Sequence, residues 1–592
     1  MQEQCRQRYG VTLEDNLGAK AEWERTEREG SEVLSLRISW DPAQAAEVPE
    51  PCFALTFSVA QKGIAHIWHP VCGLDRGLRA DWMGPIDTMT SVSAPVFCLF
   101  GESGESRCTF ALSETRQRVR WSVGLREENA RMICRAQIPA ALFLGRGEYT
   151  VSLYRDLRER PLEDALDGVR RWWEENCGAK PLPVPETATL PMYSTWYSHH
   201  QVVDERTVEE ECRLAAGFGM RAVILDDGWQ TDDAGRGYAF CGDWEPTPSK
   251  FPDMAAHVAR VHALGMKYLV WFSVPFVGIH SSHWAQFSDK LLCFQESQGA
   301  GVLDPRYPEV RRYLIDTYCR AVRDWGLDGL KLDFIDEFYA RPETPARREG
   351  MDCPDVQDAV ALLMTGVHEA LRAIRSDILI EFRQRYIGPG MRAFGNMFRV
   401  SDCPGDLLRN RVGVVDLRLL SGSTAVHGDP IVWNPEESCE NAALQLLSVL
   451  FGVVQFSVRP QELDADKRRM VDFWLSYMRE NRSVLLGGKL RALSPHLLYP
   501  AVWADGENRR IAAVYDPRFV LPPEGFGSAV EDADVANATQ AGSLLLDLRG
   551  VPSCRAEAVD CRGDAAWNGV LEGGRVEAVP VPPSGLLRLR KL

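Results

Sequence analysis

The stretch EVRRYLIDTYCRAVRDWGLDGLKLDFI, residues 309–335, decides the fold. Its first part sets Val310, Tyr313, Leu314, Thr317, Tyr318, Ala321, Val322 and Trp325 three or four residues apart, which predicts an amphipathic helix over 309–324. After Gly326 the pattern changes to a short apolar run, 329–335, that reads as a buried strand. The same alternation recurs on both sides. Strands are predicted at 193–199, 222–229, 267–274, 329–335, 378–383, 398–402, 424–428 and 453–458, with helices at 208–217, 254–264, 309–324, 356–375 and 440–450 between them and another at 467–481. Such repeats over about 290 residues predict a closed (β/α)8 barrel with inserted loops. The competing open, doubly wound sheet would carry a glycine-rich phosphate loop after its first strand, and Ser198-His199-His200-Gln201 stands there instead.

Outside the barrel the rhythm differs. Residues 1 to about 160 hold short β-branched and aromatic runs at 33–40, 52–59, 96–99, 118–123 and 149–154, separated by turn residues, as in an antiparallel sandwich. A helix at 162–176 and the prolines 181, 183, 185 and 191 mark a boundary near 180. Past 484 short strands return at 497–503, 510–515, 544–548 and 586–592. The expected chain is multidomain α/β: an N-terminal β-sandwich with a linker helix (1–180), a barrel (181–484) and a small C-terminal β-sandwich (485–592).

Hydrophobic residues make up 45% and charged residues 25% of the 592, the balance of a globular protein. The net charge of -16, without a basic stripe, disfavours nucleic acid and anionic membranes as partners. The start lacks the apolar core of a secretory signal, and sixteen cysteines are scattered without a CxxC pair. A reducing, cytoplasmic setting is expected, with no structural metal site and no cofactor. The β-rich flanking domains offer surfaces for homo-oligomerisation.

Barrel chemistry sits where the strands end at their C-terminal side. Strand two ends in Asp226-Asp227-Gly228-Trp229, strand four carries Lys331 and Asp333, and strand six ends in Ser401-Asp402. Strand one contributes Trp196, and the loop after strand two carries Gly242-Asp243-Trp244. Alone, Lys331 and Asp333 read equally well as a buried ion pair, and Asp226-Asp227-Gly228 as a turn. Together, carboxylates, a lysine and tryptophans around one mouth suit a sugar: rings cover its apolar faces and charged groups bond its hydroxyls. Two opposed carboxylates are what glycosidic cleavage uses.

The barrel resembles glycoside hydrolase family 36, the melibiase-type α-galactosidases and relatives. The matching stretches are Ile224–Trp229, Gly242-Asp243-Trp244, Lys250-Phe251-Pro252, Leu264-Gly265-Met266-Lys267, Lys331-Leu332-Asp333 and Val400-Ser401-Asp402, in family order. The resemblance implies a retaining, exo-acting α-glycosidase with Asp333 as nucleophile and Asp402 as general acid/base. It also implies that Asp226 and Asp227 hold sugar hydroxyls and that Lys331, Trp244 and, more loosely, Trp196 share the subsite. Lys331 is expected to keep Asp333 ionised, and neighbouring carboxylates to raise the pKa of Asp402. Retention would set the two carboxyl groups roughly 5 to 5.5 Å apart.

The resemblance breaks after strand five. Where the family has a Cys-Ser-Ser-Gly-Gly-type loop beside the sugar's C2 substituent, this chain reads Arg383-Gln384-Arg385-Tyr386. The W-x-E-P-E after strand three becomes Trp271-Phe272-Ser273-Val274-Pro275-Phe276. Arg383 therefore points either to a C2-modified or anionic sugar, or to a structural pairing with Glu381 or Asp402 that leaves galactose binding alone. His199 and His200 are further candidates for sugar contact, and Asp406 is a weaker alternative acid. A transglycosylase of raffinose-synthase type would use the same two aspartates on an oligosaccharide. A metal-dependent barrel enzyme would need histidine ligands that are sparse at the strand ends.

Overall fold

A computed structural model describes residues 4–16, 18–41, 53–138, 147–178, 180–526 and 532–592. Its centre is an eight-stranded parallel sheet. The strands are β1 (Met192–Ser194), β2 (Ala222–Leu225), β3 (Lys267–Ser273), β4 (Gly329–Asp333), β5 (Leu379–Arg383), β6 (Met397–Arg399), β7 (Ala425–His427) and β8 (Gln455–Phe456). β8 pairs with β1, and the ring is nearly closed, since β7 meets the approach to β8 through a bridge between His427 and Val453. Helices Glu205–Gly217, Met254–His262, Pro308–Trp325, Val356–Ile374, Cys439–Ser448 and Ala465–Glu480 lie where the hydrophobic period places them.

Two departures from the sequence reading have physical causes. Residues 196–199 form a helical turn, not the end of β1, because Ser457 Oγ at the end of β8 accepts from the amides of Tyr197 and Ser198 (3.0 and 3.1 Å). Helix Leu407–Ser421 was not anticipated. It is buried nearly all round, so its apolar residues trace no single face, and its buried Asp416 accepts from Trp68, Arg76 and Tyr499. The β5–β6 connection, by contrast, carries a single 3-10 turn, Met391–Ala393.

The barrel floor is a plug of Met192, Ala222, Ile224, Leu269, Leu379, Met397 and Ala425. These residues follow the period of two that alternates strand side chains between lumen and helices. Ahead of the barrel, a six-stranded and a seven-stranded antiparallel sheet enclose their own core. The strand expected from residue 52 is Phe53–Ala60, residue 52 itself lying outside the described residues. After the barrel, strands from Lys489 onward form a seven-stranded and a three-stranded sheet around a third core. The N-terminal domain braces the barrel mouth: Arg385 O accepts from Ser93 N (2.7 Å), and Gln384 Nε2 donates to Pro70 O (3.1 Å).

Candidate active site

Two residues above the floor on the same strand parity, the lumen turns polar, with Lys331, Glu381 and Arg399 on β4, β5 and β6. One step higher come Asp226, Asp333 and Arg383, at or next to the strand tips. Lys331 and Asp226 form a buried pair, Nζ to Oδ2 2.6 Å, which reaches past β3. The Asp226 amide is held by Thr195 Oγ1 (2.9 Å). Asp227 accepts from Gln201 (2.6 Å) and Gln230 (2.7 Å), and burial, opposed by those bonds, pushes its carboxyl up to about 6.

The loop carrying these groups is built around Gly228 and Lys250. Gly228 has φ +109°, and a Cβ there would stand 2.4 Å from Gln201 Cα, so only glycine fits. Lys250 Nζ gathers the carbonyls of Gln201, Gly228 and Thr231 at 2.7–2.8 Å. The Lys-Phe-Pro motif is thus a loop clamp.

Asp333 ends β4, level with Ser273 of β3. Its Oδ1 accepts from Phe334 N (2.7 Å) and Arg383 Nε (2.5 Å), with the Tyr386 hydroxyl at 3.3 Å; its Oδ2 accepts from Trp271 Nε1 (3.0 Å). Phe334 sits in the left-handed region (φ 63°), a conformation uncommon for a bulky residue that turns its amide onto the carboxylate. Burial alone would raise the Asp333 pKa. Arg383 first, then Lys331 and Arg399, and the Trp271 bond outweigh it and hold the carboxyl well below the usual range. Asp333 is an anion at any working pH.

The partner of Arg383 is Asp333, not the Glu381 or Asp402 expected of a structural pairing. Its guanidinium lies over the Phe334 and Tyr386 rings at 5.1 and 5.8 Å, with Asp336 at 3.6 Å. Arg383, more than Lys331, keeps Asp333 ionised.

Asp402 lies beyond the end of β6 with its side chain 55% exposed, bonded to Arg399 Nη2 at 2.8 Å. The expected rise in its pKa is not found. Burial pushes upward, but Arg399 and Lys331 pull harder than Asp333 repels, and the carboxyl is lowered. Arg399, fully buried, also bonds Asp429, which accepts in addition from Tyr197 (2.9 Å) and the Cys403 amide (2.7 Å). Burial raises Asp429 to about 6 and Glu381 to about 7, in both cases against Arg399. Glu381, whose other neighbours include Gln455 and His427, was not assigned a role from sequence, nor were Arg399, Asp429, Trp271 and Gln201.

Other candidates fall into place. Trp244 is buried behind the site, with ring centroids 6.0 Å from both Trp229 and Trp271. Trp196, half-buried in the turn after β1, packs against His200 with ring centroids 4.6 Å apart and the planes tilted by 36°. His199 turns away to Glu211 (2.8 Å), and Asp406 caps helix Leu407–Ser421 by accepting from Arg409 N. Glu205, Glu209 and His257 converge among the barrel helices, where Arg260 bonds both glutamates at 2.7 Å. Among the described residues no helix is long and apolar enough to cross a membrane.

The fold and site define a (β/α)8 barrel protein whose lumen mouth is lined by paired charged residues. Residues 190–413, which hold β1 to β6, match the model of the Melibiase family, in line with the resemblance read from the motifs. Over 157 residues it is 29% identical to α-galactosidase 2 of Pediococcus pentosaceus, covering 25% of this chain and 22% of that one. It is likewise 29% identical over 143 residues to an A type blood α-D-galactosamine galactosaminidase of Flavonifractor plautii, covering 21% and 12%. The chain thus spans less than a quarter of the length of these curated relatives in the matched regions. The whole architecture superposes on the family 36 α-galactosidase AgaA of Geobacillus stearothermophilus solved with raffinose, at a TM-score of 0.65 and 15% identity, over 98% of this chain and 83% of that one.

Proposed function

We propose that the chain is a retaining, exo-acting α-glycosidase that hydrolyses terminal α-galactoside-type linkages. The observation that carries this reading is Asp333: an aspartate at a barrel strand tip, ionised by three cations, with Oδ1 gripped by Arg383 and the Phe334 amide and Oδ2 bonded once, to Trp271. Oδ2 keeps a lone pair for attack. It forms a bond to the anomeric carbon as the bond to the leaving oxygen breaks, and Asp402 gives that oxygen its proton. Asp402 then takes a proton from water as the water oxygen displaces Asp333, restoring both carboxyls. Asp226, Asp227 and Lys331 bond the sugar's hydroxyls, and Trp196 with Trp244 shapes its surroundings. The substrate is an oligosaccharide or simple glycoside, as the relatives' names and bound sugars suggest. Free thiols at the fourteen cysteines from Cys72 to Cys561 fit a cytoplasmic setting.

Arg383 favours a refinement of this reading. A long cation touching the nucleophile alters the space where the sugar's ring substituents lie, and one of the similar proteins is named for galactosamine. The preferred sugar accordingly differs from plain galactose at C2. Aryl α-glycosides of galactose, N-acetylgalactosamine, galactosamine, glucose and galacturonic acid, with Asp333→Ala as control, test both statements. Release that the substitution abolishes supports the α-glycosidase. Release unaffected by it sinks Asp333, and a clear preference for galactose sinks the C2 refinement.

A further inference from the structure

Away from the barrel mouth, two cysteines from different domains meet. Cys439 is the first residue of helix Cys439–Ser448, and Cys561 lies in a turn of the C-terminal domain, with Sγ atoms 3.8 Å apart. The residues flanking each cysteine are tied to the opposite domain. Next to Cys439, Glu440 O accepts from Ser584 Oγ (2.7 Å) and Asn441 Oδ1 from Gln540 Nε2 (2.6 Å). Next to Cys561, Arg562 pairs with Asp466 (3.3 Å) and Asp564 with Arg469 (2.6 Å). Four contacts therefore hold the sulfurs in register. Closing them to a bonded length near 2.05 Å requires about 1.8 Å of approach, within the reach of side-chain rotation.

We propose that Cys439 and Cys561 form a thiol–disulfide modification site that staples the C-terminal domain to the barrel when a small-molecule disulfide such as oxidised glutathione is present. Cys439 is the half-exposed partner and Cys561 the buried one, which sets their order of reaction. The hydrogen bond from the Cys561 thiol favours the Cys439 thiolate and lowers its pKa against the effect of burial, while that same bond and burial raise Cys561. The Cys439 thiolate attacks one glutathione sulfur and expels glutathione thiolate. Cys561 then loses its proton and displaces the second glutathione. Two thiols are oxidised to one disulfide and one glutathione disulfide is reduced to two thiols.

The test is peptide mapping of the full chain after incubation with oxidised glutathione and alkylation. The expected product is a Cys439–Cys561 cross-linked peptide, lighter by two hydrogens than the separate peptides and lost on adding dithiothreitol. Cys561→Ser should instead trap glutathione on Cys439, and Cys439→Ser should leave Cys561 unmodified. Limited proteolysis should release the C-terminal domain several-fold more slowly from the oxidised chain. The proposal is overturned if both thiols of the folded wild type stay fully alkylatable, or if either cross-links to a different cysteine. The wild-type result decides even where a variant fails to fold.

Discussion

Replacing Arg383 by methionine removes the strongest cationic contact of Asp333 while keeping a side chain of similar length between the Phe334 and Tyr386 rings. A bond from a charged donor is worth about 1.5–3 kcal/mol. At about 1.4 kcal/mol per pH unit, the Asp333 pKa should rise by roughly one to two units. Lys331, Arg399, the Trp271 indole and the Phe334 amide remain, so the carboxyl stays ionised near neutrality. The sign follows from linkage. A carboxylate with a depressed folded pKa contributes stability above its unfolded value and loses it as pH falls through the folded one. Raising the folded value brings that loss, and the loss of nucleophile, to higher pH. The assay is kcat/KM against pH on the best aryl α-glycoside, whose phenolate departs with little acid assistance. The acid limb should move upward by one to two units, accompanied by a melting temperature that falls off earlier on acidification. An acid limb that stays in place would refute the view that Arg383 sets the charge of Asp333. If the ranking of sugars changed as well, Arg383 would be reading the substrate alone.

Four other variants probe the remaining groups. Asp402→Asn should cost about 10²–10⁴-fold on an oligosaccharide such as raffinose and far less on an aryl glycoside, because general-acid help matters where the leaving group is poor; equal losses would remove Asp402 from that role. Asp226→Ala strands Lys331 in the lumen and should destabilise the fold by about 3–5 kcal/mol, whereas Asp226→Leu with Lys331→Met should melt close to wild type and still fail to bind sugar. Calorimetry and ligand titration separate the two effects. Glu381 is raised to about 7, so its stability contribution is present below its unfolded pKa and is lost as pH rises through about 7. Glu381→Gln should relieve a penalty on the order of 3 kcal/mol at alkaline pH, seen as a melting temperature that declines less between mildly acidic and alkaline buffers.

The barrel was legible because its strands bury both faces and its helices one, and both patterns survive in the residue order. Strand ends were not. Thr195, Trp196 and Tyr197 after Ser194 are residue types common in strands, and the helical turn that follows depends on Ser457, more than 250 residues away. Helix Leu407–Ser421 hid for the opposite reason, since contacts with other domains bury its far side. In the site, Asp226, Lys331, Asp333 and Arg383 were readable as charged residues at strand tips. Glu381, Arg399 and Asp429 follow from the same parity: the floor residues Leu379, Met397 and Ala425 point inward, so Glu381, Arg399 and Asp429, two and four positions on, do too. Counting outward from the floor would have found them. Asp402 escapes this count because β6 ends at Arg399, and its pKa is set by the arginine three residues back rather than by carboxylates.

That arginine leaves the resting site with its protons in the wrong place for the first chemical step. At mildly acidic pH they reside on Glu381, Asp227 and Asp429, raised to between about 6 and about 7, while the half-exposed Asp402 is ionised. A sugar seated against Asp333 covers Asp402 and strips its water, which disfavours the charged form and raises its pKa. The neutral ligand should therefore bind with proton uptake, approaching one proton per site where free Asp402 is ionised and bound Asp402 is not. Titration calorimetry of a non-hydrolysable sugar mimic in buffers of different ionisation enthalpy measures the uptake directly. The uptake should vanish in Asp402→Asn and persist in Glu381→Gln. Uptake unaffected by Asp402→Asn but lost in Glu381→Gln would place the working proton on the lumen glutamate, with Arg399 as the link between it and the leaving group. Binding without any uptake would mean that Asp402 stays an anion in the complex, which would rule it out as the acid of the first step.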